Sequence, residues 1–188
     1  MLKNIEEFGK YVGLTGFRDV ELKDIELLLE KVRKEKKPDV EVQFFDAHHI
    51  ATLKHLYFAV LNALTAFKNG KTISKSLAME IMLYASAQHQ IQRAMDMLKI
   101  KPSLSEIAVL VVAEKAEDVN DALSMIARLV NAKPDEKVLE LSANKRACIQ
   151  KAFNISDVEI EAVMKKGQLE EALVDLVIER MALLATRK

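Results

Sequence analysis

The segment that most constrains the fold is a run of eight residues, 106–113, that is apolar after its first position. It reads Glu-Ile-Ala-Val-Leu-Val-Val-Ala. An apolar run this short is typical of a strand covered on both faces, whereas a buried helix would need at least ten residues. We therefore predict that this segment is the central strand of a sheet.

Three further segments have strand patterns, and seven have the three- and four-residue apolar spacing of helices. The predicted strands are 8–18, 40–45 and 137–141. The predicted helices are 20–36, 49–68, 75–99, 117–131, 143–153, 157–166 and 168–186. The fold class expected is α+β, with a small, mostly antiparallel sheet of about four strands packed with about seven helices.

Local residues indicate how some of these elements begin and end. Gly70 is expected to cap the first long helix, and Ser156 with Glu159 has the pattern of a capping box. Glycines at 9, 13 and 16 do not match a dinucleotide-binding fingerprint, and we expect them to ease a bulge or turn.

Composition is that of an ordinary globular protein with no overall charge bias. Half of the residues are apolar, and 28 basic residues balance 28 acidic ones. We expect a single domain spanning 1–188. Cys148 is the only cysteine, so an intramolecular disulfide is excluded, and it is expected to be a small core side chain. The start of the chain does not resemble a signal peptide, and we predict a cytoplasmic protein.

The residues best suited to catalysis are Asp46, His48, His49 and His55. A metal-dependent hydrolase would need three such side chains to converge on one ion. Adjacent histidines diverge by about 100° on a helix, and no H-E-x-x-H spacing is present. Gly70-Lys71-Thr72 lacks the earlier glycine of a nucleotide-binding loop. We expect no catalytic residues, no metal and no cofactor, with a metal hydrolase as the alternative.

A local excess of positive charge lies within residues 68–101. Six basic residues against two acidic ones give this window a charge of +4, although the chain as a whole is neutral. Such a window favours contact with phosphates, particularly where Ser74 and Ser76 precede a helix and leave free backbone N–H groups. The alternative to a phosphate-binding surface is a pair of helices whose charged side chains are only solvated.

The last predicted helix carries more apolar residues than one buried face requires. Val174, Ile178, Met181 and Ala185 widen its apolar arc to roughly 240°. Either this helix is sandwiched within the domain, or part of its surface binds a partner.

Three segments in order resemble one known family. They are Phe44-Phe45-Asp46-Ala47, Ile73-Ser74-Lys75-Ser76-Leu77-Ala78-Met79-Glu80-Ile81 and Tyr84-Ala85-Ser86-Ala87-Gln88-His89-Gln90-Ile91. From Val42 to Leu98 the chain is similar to the CGI/TPRKB family, the PRPK-kinase-binding subunit of the KEOPS tRNA-modification complex.

The resemblance implies a non-catalytic regulatory adapter, which binds the kinase/ATPase subunit and recruits tRNA by its 3′ end for threonylcarbamoyl-adenosine formation. The expected kinase-interface residues are Val174, Ile178, Met181 and Ala185. The expected tRNA-binding residues are Lys71, Ser74, Lys75, Ser76, Gln88, His89, Gln90 and Arg93. No membrane partner is expected.

The chain departs from the family pattern at two positions. His89 stands where the family usually has the arginine of Gln-Arg-Gln, and His48 stands where it often has the arginine of Asp-Ala-Arg. Histidine carries little positive charge at neutral pH, so two cations expected from the family pattern are weak here. A protein-interaction module without RNA affinity is therefore a further alternative.

Overall fold

The structure is a computed structural model that describes residues 1–165, 167–184 and 186. Within these residues the chain forms eight α-helices and one four-stranded antiparallel sheet, which confirms the α+β class. The chain divides into two compact units. The first unit is Met1–Ala47 with Lys99–Leu139, and the second is His48–Leu98 with the described residues from Glu140 onward. That residues 1–188 form a single domain stays a prediction.

The first unit contains the whole sheet. Its strands are β1 (Leu2–Ile5), β2 (Lys10–Phe17), β3 (Glu41–Asp46) and β4 (Ile107–Ala113), in the order β1-β2-β4-β3. Every residue of β4 is buried, and β4 lies between β2 and β3 as the apolar run predicted. Two helices of this unit, α1 (Ile25–Glu35) and α5 (Ala116–Leu129), contact each other, and α5 also contacts β2 and β4.

One predicted strand is not a strand, and one observed strand was not predicted. The segment predicted as a strand at 137–141 is instead a 3-10 helix, Glu136–Leu139. One bridge joins Phe17 to Pro134, but proline has no N–H to donate to a continuing ladder. The fourth strand is β1, which has only two strongly apolar residues, Leu2 and Ile5, and so gave no clear strand pattern.

Gly13 and Gly16 are needed for close packing and not for a bulge. Pairing between β2 and β4 runs without interruption from Tyr11 to Phe17. A Cβ atom at Gly13 would lie 2.4 Å from Val119 Cγ1, and one at Gly16 would lie 2.6 Å from Val138 Cβ. The two glycines therefore let α5 and the 3-10 helix approach opposite faces of β2. Only Gly9, with φ of 59°, makes the turn that was expected.

The second unit is helical. Its helices are α2 (Leu53–Lys68), α3 (Leu77–Ser86), α4 (Ile91–Leu98), α6 (Ala143–Phe153), α7 (Asp157–Val163) and α8 (Leu169–Leu184). Helix α8 contacts α2, α3, α6 and α7. Gly70, with φ of 62°, follows the end of α2, and Ser156 with Glu159 forms the predicted capping box. Among the described residues, no helix is long and apolar enough to span a membrane.

The helix predicted over 75–99 is two helices. Ala87 adopts the left-handed conformation at φ 52°, and its N–H bonds back to the end of α3. The Gln88 N–H also donates to the Leu83 carbonyl, at 3.1 Å. These bonds satisfy carbonyls at the end of α3 and turn the chain before α4 begins.

Candidate functional site

The first part of the candidate site is the segment between α2 and α3, residues 69–76. Lys71, Lys75 and Ser76 are exposed, and Ser74 is partly exposed. Neither Lys71 nor Lys75 forms an ion pair or side-chain hydrogen bond with the described part of the chain. Both ammonium groups are therefore available to an external anion.

A buried carboxylate holds this loop. Glu80, on the first turn of α3, is fully buried and accepts hydrogen bonds from the backbone N–H groups of Ile73 and Ser74. The Ser74 N–H lies 2.7 Å from Oε2, and the Ile73 N–H lies 3.1 Å from both carboxylate oxygens. Burial, together with the negative charge of Glu80, raises the pKa of Tyr84. Glu80 thus fixes the backbone immediately before Lys75.

Most backbone N–H groups of this loop are already used. Those of Ile73 and Ser74 donate to Glu80, and that of Ser76 donates to Ser74 Oγ at 3.2 Å. Ser76 Oγ accepts from the Met79 N–H, at 3.4 Å, as the N-cap of α3. These N–H groups are therefore not available to a ligand. Each serine hydroxyl still has its own hydrogen to donate.

The second part of the site is the turn between α3 and α4. His89 and Gln90 are exposed, and Gln88 is partly buried. Gln88 and Arg93 line one open groove, so the structure brings these two predicted residues together.

The buried side chain of His55 is hydrogen-bonded to the end of α3, next to this turn. It is fully buried; its Nε2 lies 2.8 Å from the Ala85 carbonyl and its Nδ1 accepts the Ala51 N–H at 3.1 Å. These two bonds require the neutral ring with hydrogen on Nε2. Burial lowers the pKa of His55 to about 4, the bond to Ala85 opposes that shift, and the charge of Lys145 adds to it. The ring also makes an edge contact with Phe153.

Comparison with known proteins matches residues 17–185 to the family described as "Kinase binding protein CGI-121". The match covers most of the chain. The chain belongs to this family. Among curated relatives, "Regulatory protein Cgi121" of Methanocaldococcus jannaschii is 31% identical over 134 residues, which are 70% of this chain and 84% of the relative. Membership in the CGI-121 family confirms the resemblance found in the sequence.

The structure shows the surroundings of each residue of the alternative metal site. Both ring nitrogens of His55 are used within the buried interior, so they are not directed at a metal ion. Asp46 is buried at the end of β3, and His48 and His49 are partly exposed in the short turn that follows. Within the described residues, no three His, Cys, Asp or Glu side chains are close enough to hold a metal.

Two of the four predicted kinase-interface residues of this CGI-121 family member are buried within the second unit. Val174 and Met181 are buried, and Ile178 is partly buried against the core cluster that contains Val174. Ala185 lies outside the described residues. Helix α8 is enclosed by four other helices, which accounts for most of its wide apolar arc. The kinase interface on α8 stays a prediction, with Ile178 as its accessible residue.

Proposed function

We propose that this protein is a non-catalytic regulatory adapter of a KEOPS complex. It binds the kinase/ATPase subunit and recruits tRNA by its 3′ end for threonylcarbamoyl-adenosine formation. The observation that carries the proposal is membership in a family described by kinase binding, with a curated relative named as a regulatory protein. The cytoplasm, where tRNA is modified, is the location we expect.

The RNA part of the proposal is supported by the arrangement of the loop before α3. Glu80 holds its backbone at Ile73 and Ser74, while Lys71 and Lys75 remain exposed and unpaired within the described chain. A loop that is already ordered loses little conformational entropy when it binds. Lysine ammonium groups bind phosphates, and the Ser74 and Ser76 hydroxyls can donate to phosphate oxygens.

The turn before α4 supplies groups suited to bases. The amides of Gln88 and Gln90 offer both donors and acceptors, and His89 is exposed beside them. Bases of a single strand expose their hydrogen-bonding edges, whereas duplex RNA buries them. A flexible 3′ end therefore fits these side chains better than a paired stem.

The proposal is tested by capture with the tagged protein. It should retain the KEOPS-type kinase subunit of its own organism, and the joint complex should retain tRNA at low salt and release it as salt rises. Kinase capture without any retention of tRNA would favour the protein-interaction module. One equivalent of zinc in the purified protein, lost in His49→Ala, would instead favour the hydrolase.

A further inference from the structure

The residues that join α2 to the lysine-bearing loop, Asn69 and Gly70, form the one asparagine–glycine pair of the chain. The other six asparagines are followed by residues that carry a Cβ atom. In such a pair the backbone nitrogen of the glycine can reach the side-chain carbonyl carbon of the asparagine, because no Cβ atom blocks the approach. Both residues are exposed, and the Asn69 amide forms no hydrogen bond with the part of the chain that the structure describes.

The end of α2 holds this pair in a closed turn. The Gly70 N–H donates to the Phe67 carbonyl at 3.2 Å, and the Lys71 N–H donates to the Ala66 carbonyl at 2.9 Å. Gly70 has φ of 62°, whereas Asn69 has φ of −90° and ψ of 0°. These features define a Schellman motif, in which a left-handed residue ends the helix. The positive φ favours glycine at position 70, and this glycine is also what makes Asn69 reactive.

The same turn opposes a reaction between the two residues while it is closed. Ring closure needs the Gly70 nitrogen without its proton, but its N–H is bonded to the Phe67 carbonyl. The five-membered ring also needs a more extended backbone at Asn69 than the ψ of 0° observed. Both hydrogen bonds of the turn must therefore break first. Helix ends open locally more often than helix interiors, so the rate depends on how often this turn opens.

We propose that Asn69 is a site of non-enzymatic deamidation, controlled by the opening of this turn. In the open turn, the deprotonated Gly70 nitrogen attacks the side-chain carbonyl carbon of Asn69. A C–N bond forms and the bond to the side-chain nitrogen breaks. That nitrogen leaves as ammonia, which takes up a proton in place of the one that the backbone nitrogen released. Water then opens the succinimide at one of its two carbonyl groups and gives aspartate or isoaspartate.

Both products alter the loop that is proposed to bind phosphates, a consequence that rests on the proposed function. A carboxylate at position 69 lowers the charge of residues 68–101 from +4 to +3, within two residues of Lys68 and Lys71. Negative charge is also unfavourable at a helix C-terminus. Isoaspartate adds one carbon to the main chain, so the two N–H groups of the turn no longer align with their carbonyls. The modification should therefore weaken RNA binding.

Peptide mapping by mass spectrometry measures the reaction in the full-length protein. The protein is incubated at mildly alkaline pH, folded or in urea, and conversion of each asparagine is followed with time. Asn69 should convert first, and about tenfold or more slowly in the folded protein, because a turn closed by two hydrogen bonds is seldom open. Asn62, within α2 and followed by alanine, is the internal control. No conversion of Asn69 in urea would overturn the site, and equal rates would overturn control by the turn.

Binding of tRNA is then compared before and after incubation. Asn69→Asp should weaken binding roughly threefold to tenfold at low salt, because it adds a negative charge beside the lysines. Incubated wild-type protein should lose affinity in proportion to its converted fraction. Asn69→Gln should bind equally before and after the same incubation, since glutamine would have to close a six-membered ring. Thermal unfolding checks that both variants fold.

The two proposals fail in different ways. If Asn69 converts and tRNA affinity stays the same, while Lys75→Glu weakens binding, the effect of the modification is wrong and the proposed function stands. If the protein and its kinase complex bind no tRNA, the proposed function and the effect on RNA are both wrong. Peptide mapping decides independently of RNA whether Asn69 is the modified residue. An equal loss of affinity in incubated Asn69→Gln would assign the loss to another change and overturn the role of Asn69.

Discussion

Replacing Glu80 with glutamine tests whether a buried carboxylate orders the proposed RNA-binding loop. The side chain is fully buried and accepts from the N–H groups of Ile73 and Ser74. Glutamine keeps the shape but exchanges one accepting oxygen for an NH₂ group that faces these donors. Hydrogen bonds to a charged group contribute about 1.5–3 kcal/mol, and an unsatisfied buried donor costs about 1–3 kcal/mol.

We expect Glu80→Gln to lower the free energy of unfolding by about 2–4 kcal/mol, measured by urea denaturation. Glu161→Gln is the matched control, because Glu161 is exposed on α7 and has no hydrogen bond or ion pair within the described chain. It should change stability by less than about 0.5 kcal/mol. The folded Glu80 variant should also bind tRNA more weakly while kinase capture is unchanged. If the Glu80→Gln variant has the stability and the tRNA affinity of the wild type, the buried carboxylate does not order the loop.

Three further predictions concern stability and the kinase interface. Gly13→Ala should lower the free energy of unfolding by about 1–3 kcal/mol, because the added Cβ would lie 2.4 Å from Val119 Cγ1. An unchanged midpoint of thermal unfolding would contradict this close packing. Folding lowers the pKa of His55 from its ordinary value of 6.5 to about 4, mainly through burial, so the unfolded chain takes up the proton first. Stability should therefore fall as pH is lowered from 6.5 towards 4, with about 2 kcal/mol lost between pH 7 and 5. His55→Gln should lack this loss and His89→Gln should retain it; equal pH profiles for wild type and His55→Gln would exclude the assignment. Ile178→Glu should abolish capture of the kinase subunit with the fold retained, while Val158→Glu on the exposed face of α7 should not; an unfolded Ile178→Glu would assign that residue to the core alone.

Local sequence patterns predicted the elements whose burial follows a simple period. The apolar run at 107–113, the alternating strand at 41–46 and the long helix at 53–68 all follow from the spacing of their own residues. The break at Ala87 did not, because a non-glycine residue in the left-handed conformation has no marker in the sequence. The strand proposed at 137–141 failed because its pairing partner, and the proline before it, decide whether a ladder continues.

The candidate site was predictable where its residues are near each other in the chain. Lys71, Ser74, Lys75 and Ser76 share one loop. The role of Glu80 was missed because its backbone partners lie six and seven residues earlier, in a loop whose course the sequence does not give. Cys148 was expected in the core, but it is exposed on α6, and which face of α6 is buried depends on the helices that pack against it. The burial of Val174 and Met181 likewise depends on which helices surround α8.

The measurement that tests the account most directly compares intact tRNA with the same tRNA lacking its terminal 3′ nucleotides. Binding to the protein, alone and with the kinase subunit, is measured at several fixed salt concentrations for wild type and Lys75→Glu. We predict that truncation and Lys75→Glu each weaken binding, and that Lys75→Glu weakens binding of the truncated tRNA little further, since both changes remove the same contact. Equal binding of intact and truncated tRNA would contradict the proposal that this protein holds the 3′ end.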